Sequence, residues 1–135
     1  MPSPLPVEVA AVLGNWVAAI EAKDLEALHA VFRDRDDLVV FWTNGERNVG
    51  WEQVRRHIEA DLRPEVALAI EIDGPRYAAL GADAGTLTFR YQIRLTVHGD
   101  STTLHRLASM SLHREASGWR IAALHLSTAP GSLAG

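Results

Sequence analysis

The sequence predicts an α+β domain in which three helices pack on a strongly curved mixed or antiparallel sheet and enclose a pocket. Three observations predict it. Apolar residues recur at helical spacing through the first part of the chain. They alternate with period two through the last half, and the helices cluster ahead of the strands instead of winding between them as βαβ units. At 135 residues the chain has one domain's length, enough to bury roughly two-thirds of its unfolded surface without cross-links. We place the domain at residues 7–130, with flexible ends at 1–6 and 131–135.

From Val7, the positions Val9, Val12, Leu13, Trp16, Val17 and Ile20 form one helical stripe that runs out near Ala22-Lys23. Asp24 can cap a second helix carrying Leu25, Leu28, Val31 and Phe32, which the charged Arg33–Asp37 turn ends. Leu38–Thr43 is β-branched and aromatic and reads as a strand, with Asn44-Gly45 as the turn after it. A third helix follows Gly50 with Trp51, Val54, Ile58 and Leu62 on one side, and Pro64 stops it. Leu68, Ile70 and Ile72 alternate as a strand, and Arg76–Leu80 reads as a short return. Leu87 to Val97 alternates through one long strand. The turns Gly99-Asp100 and Ser117-Gly118 bound the strands Thr102–Arg114 and Trp119–Thr128, and a frayed tail over 129–135 follows. A sheet bent over one hydrophobic core leaves a cavity at its open end.

Composition excludes several classes. There are no cysteines, so disulfides and thiolate chemistry are absent, and with no signal-like or bilayer-length apolar stretch the expected compartment is the cytoplasm, away from membranes. A net charge of −4 lacks the basic excess that phosphate-backbone binding needs, so nucleic acid is not an expected partner. The six histidines show no His-x-His or Glu-containing metal spacing, and no Gly-rich loop follows a strand. No metal and no cofactor are expected.

Two stretches carry a family resemblance that spans about Val9 to Pro130. Trp16–Leu25 resembles the helix, short turn and Asp-initiated second helix that open nuclear transport factor 2-like domains. Gly118–Pro130, with a Trp leading to a His-x-Ser ending, resembles the last strand of SnoaL-like proteins and of the calcium/calmodulin-dependent kinase association domain. The resemblance implies a cone-shaped fold, a pocket between sheet and helices, and homodimerisation through the outer sheet face. It implies no single activity, because the superfamily holds isomerases, dehydratases, hydrolases, cyclases and non-enzymatic association domains.

The residues must decide. A ketosteroid isomerase-like site needs a carboxylate base on the early strand, where Phe41, Trp42 and Thr43 stand instead, and Trp16 occupies the place resembling a helix-borne Tyr. An epoxide hydrolase-like site needs buried carboxylates beside an Arg, yet Glu71 and Asp73 have the parity of a solvent face. Strand alternation places His125 and Ser127 with Trp119, Ile121 and Ala123, on the inward face. His125 is therefore the best catalytic candidate, read either as an acid/base or as a core histidine bonded to backbone or to Ser127. Arg106 shares parity with Leu104, Ala108, Met110 and Leu112 and faces inward, either meeting a carboxylate ligand or snorkelling to water at the rim. Arg90 matches a pocket arginine of the association domain, while its parity points outward. Tyr91, Trp42, Phe41, Met110 and Trp16 complete the expected pocket wall, equally readable as core fillers.

The expected function is therefore binding of a small organic ligand, mostly apolar with one polar group, or an enzyme of unassigned reaction in the same pocket. The alternatives are a cofactor-free isomerase, cyclase or dehydratase using His125, and an oligomerisation module.

Overall fold

The stripe of Val9, Val12, Leu13 and Trp16 forms the buried side of α1 (Val7–Ala22) in the computed structural model, which describes residues 4–129. Lys23 ends α1 in the left-handed region (φ 56°), its N–H reaching the carbonyls of Ala19 and Ile20. Asp24 then caps α2 (Leu25–Val31), accepting the Ala27 N–H at 3.0 Å. Gly50, at φ 81°, starts α3 (Trp51–Asp61), whose buried residues are Trp51, Val54 and Ile58. The Lys23 ammonium donates to the carbonyls of Arg63 (2.6 Å) and Pro64 (3.2 Å), tying the α1–α2 junction to the exit of α3.

Six strands form one sheet: β1 (Val39–Phe41), β2 (Arg47–Val49), β3 (Ala67–Ala79), β4 (Ala84–Val97), β5 (Asp100–Glu115) and β6 (Gly118–Thr128). Their order is β2-β1-β6-β5-β4-β3, antiparallel throughout except that β1 runs parallel to β6, so the sheet is mixed and it curls around the helices into the predicted cone-like shape. Leu87, Phe89 and Tyr91 of β4 and Ala108, Met110 and Leu112 of β5 alternate inward as the sequence predicts, meeting Leu28, Phe32 and Val54 of the helical layer in one core.

Three local features differ from the sequence reading. The stretch from Arg76 is not a return strand. It continues β3 along the same neighbour, because the Gly74-Pro75 pair is absorbed as a bulge: Asp73 opposes Arg90 and Arg76 opposes Thr88, so β3 advances three residues while β4 advances two. Asn44-Gly45 turns the chain into a strand the sequence reading does not contain, β2, whose Asn48 is buried and accepts the Trp42 indole N–H at 2.7 Å. In β6 the partners of Ser111 and Leu112 are Ala123 and Ile121, which makes Ala122 an extra residue and reverses the parity of everything after it. The expected loose ends at 1–3 and 130–135 lie outside the described residues, and Leu5, from the same expected N-terminal end, packs partly buried on the core.

Arg33, at the end of α2, is buried and donates from Nε to Glu115 (2.7 Å) and from a terminal nitrogen to Asp37 (3.1 Å). The Glu115 hydrogen bond holds its pKa above the ordinary guanidinium value. With the Arg33 N–H on the Ile121 carbonyl at 2.9 Å, this pins the helical layer to the β5–β6 hairpin. Replacing the cap, Asp24→Ala, is expected to lower unfolding free energy by about 1 kcal/mol with the fold retained, as measured by urea denaturation.

Candidate functional site

Curling the sheet under α1 and α3 leaves a hollow of about 470 Å³, within the ordinary range of small-molecule pockets. Its walls are mainly hydrocarbon and aromatic: Trp16 and Phe32 from the helical side, Leu124 and Leu126 from β6, Ile93 and Leu104 from β4 and β5. Trp16 meets Tyr91 edge-on with ring centroids 5.7 Å apart, which closes the inner end. The exposed members of the lining are Thr43, Asn44 and Asp61, so the hollow opens between the β1–β2 turn and the end of α3.

Tyr91 and Arg106 are the polar side chains that the strands contribute to this wall. They are direct cross-strand partners on β4 and β5, so their side chains leave the sheet side by side on its concave face. Tyr91 is 7% exposed, and its hydroxyl makes no hydrogen bond among the described residues. Burial pushes its pKa up to about 12, with the Arg106 charge pulling the other way, so it is a neutral donor. Arg106 donates to the His105 carbonyl at 3.2 Å and has no carboxylate partner among the described residues.

At the mouth, the His57 ring lies flat on the Trp42 indole, centroids 3.9 Å apart and planes 5° from parallel. Its Nε2 is 3.3 Å from Asp61 Oδ2, and its Nδ1 is 3.9 Å from Glu46 Oε2. His57 and Asp61 both line the hollow.

Helices over a curled mixed sheet, with the hollow between them, agree with what sequence comparison finds. The SnoaL-like domain family matches residues 9–131. The chain belongs to that family. No curated protein matches this SnoaL-like domain in sequence. Among solved structures, a nuclear transport factor 2-like superfamily protein from Salmonella enterica serovar Typhimurium LT2 superposes with a TM-score of 0.82 at 16% identity, covering 90% of this chain and 88% of that one. A provisionally assigned dehydratase of the same superfamily from Streptomyces avermitilis gives 0.81 at 15% identity, over 91% and 95% of the two chains. A provisionally assigned calcium/calmodulin-dependent protein kinase II association domain from Xanthomonas campestris gives 0.78 at 21%, over 96% and 94%. At such identities these neighbours establish the fold. No helix among the described residues is long and apolar enough to cross a membrane.

Of the residues singled out in the sequence, the SnoaL-like domain brings Trp16, Trp42, Tyr91 and Arg106 together in the hollow. His125 is not there. The extra residue at Ala122 turns Leu124 and Leu126 inward, and His125 is exposed on the outer face opposite Ser109, its ring 5.5 Å from that of Phe41. Ser127 shares that outward parity, which takes both away from any ligand in the hollow. Phe41 is 39% exposed on the same side, and Met110 is buried in the core without lining the hollow. Arg90 follows its parity: it is exposed, between Asp73 and Leu107 on the outer face.

Sequence reasoning missed His57 and Asp61. The available signal was an i, i+4 pair, each member one residue before an apolar position of the Ile58/Leu62 stripe, at the flank where a helix face meets a cavity.

Tyr91 also carries a pH prediction. Its folded pKa lies above the unfolded value of about 10, so the native state keeps a proton that the unfolded chain loses. Its contribution is intact below about pH 10 and is lost as pH rises toward about 12. Urea unfolding across that window is expected to show this fall in the native protein and a smaller one in Tyr91→Phe.

Proposed function

We propose that this SnoaL-like domain is a small-molecule binding protein whose hollow takes a mostly apolar organic molecule by one polar group, received by Tyr91 and Arg106. The observation that carries this reading is the pair itself: among the described residues, a guanidinium without a carboxylate partner beside a neutral phenol that makes no hydrogen bond, in a mainly apolar wall. Among the described residues no buried side-chain nitrogen or oxygen lacks a hydrogen-bond partner, so both groups keep access to water, and an oxygen-bearing ligand would replace that water with two converging donors. The aromatic and aliphatic lining supplies affinity through buried area, while the two donors fix orientation. His125, exposed on the outer face, has no part in this reading, and no reaction is assigned.

A thermal-shift screen of hydrophobic acids and ketones tests this. A ligand at 100 times its dissociation constant adds about 2.7 kcal/mol to stability. Arg106→Met is expected to weaken the best hit about tenfold to a hundredfold, since hydrogen bonds to charged groups contribute about 1.5–3 kcal/mol. Tyr91→Phe should weaken it less. Unchanged affinity in Arg106→Met contradicts the proposal, as does a screen in which no compound of either class binds.

A further inference from the structure

The lining of the hollow carries both signs of charge: the exposed Asp61 at the end of α3 and the partly exposed Arg106 on β5, with Glu46 in the adjoining β1–β2 turn. His57 sits between the two carboxylates, one on its own helix and one on the hairpin that packs against it. The remaining charged groups around it are Arg56 on α3, whose Nε is 3.7 Å from Glu52, and Arg106 on β5, lining the same hollow. Asn44 and Asn48 add no charge. Only about a sixth of the His57 side chain is exposed (16%), while Asp61 (68%) and Glu46 (55%) stand in solvent.

A neutral imidazole has one N–H and can donate to one of these carboxylates. An imidazolium has two, one toward each. Protonation therefore changes two things together. It cancels one of the two negative charges that an incoming anion meets, and it places a cation flat on the Trp42 face, where the ring quadrupole favours it. It also joins α3 to the β1–β2 turn across the mouth, drawing together the two elements that frame the opening.

From this arrangement we infer that the hollow captures apolar organic anions and that protonation of His57 tightens the capture. The inference rests on Tyr91 and Arg106 as the polar end of the site. Anion and proton binding are then linked, each strengthening the other, so affinity rises as pH falls.

The probe is 8-anilinonaphthalene-1-sulfonate, an aromatic anion whose sulfonate stays ionised throughout, titrated by fluorescence against the intact chain. The native protein is expected to bind it about tenfold more tightly near pH 5 than near pH 8, a coupling within the usual allosteric range. His57→Gln should bind with the weaker affinity at both ends. Asp61→Asn, which removes a rim charge and leaves the imidazole, should tighten binding near pH 8. His125→Gln, on the outer face, should keep the native pH dependence. Binding that depends on Arg106 but is flat with pH, or a pH dependence that survives in His57→Gln, overturns the role of His57 and leaves the ligand site standing. Binding indifferent to Arg106→Met overturns the ligand site and this inference with it.

Discussion

A single surplus residue, Ala122 in β6, decides which side chains of the last strand see the interior. Without it, Ile121, Ala123 and His125 would share a face; with it, Ile121 is followed inward by Leu124 and Leu126. The second surplus residue, at Gly74-Pro75 in β3, lies on the far edge of the same sheet. Bulges bend and twist the strand that holds them. With one near each side of the long β4–β5 hairpin, the sheet curls over α1 and α3 and keeps a hollow where a flatter sheet would press side chain against side chain. On the sheet side the lining is therefore apolar along β6 and polar where β4 and β5 place Tyr91 opposite Arg106.

That placement gives the hollow a direction. Tyr91 is buried among apolar side chains and Arg106 beside it is partly exposed, and among the described residues no buried side-chain nitrogen or oxygen is left without a hydrogen-bond partner. At the other end the polar groups are exposed and acidic, and His57 shares its plane with Trp42 between two carboxylates. Surface pairs of this kind add little to stability. Their place is at the opening of the hollow that Arg106 also lines.

Much of the fold was legible in the sequence because its signals are long and periodic. The stripe of α1, the Asp24 cap, the Gly50 start of α3 and the alternation through Tyr91 and Arg106 all emerge where their residue types place them. The site was legible where helical stripe and strand alternation run unbroken, which put Trp16 of α1, Trp42 just past β1, and Tyr91 and Arg106 of β4 and β5 within reach. A bulge is one residue long and leaves no periodic trace, so His125 and Ser127 were assigned to the wrong face. The even-numbered Leu124 and Leu126, competing with odd-numbered Trp119 and Ile121, were the one hint of a parity change. His57 was missed for another reason. Its role comes from meeting Trp42 and Glu46 across two elements, and no local window of sequence contains that meeting.

On the proposed reading the concave pair Tyr91 and Arg106 meets the ligand, and the strand end at His125 does not. Side-chain NMR of the isotopically labelled protein titrated with an apolar carboxylate tests it most directly. Shifts are expected at the Arg106 guanidinium and the Tyr91 ring, with the His125 ring unmoved. Shifts confined to His125 and Ser127, with Arg106 silent, would contradict it.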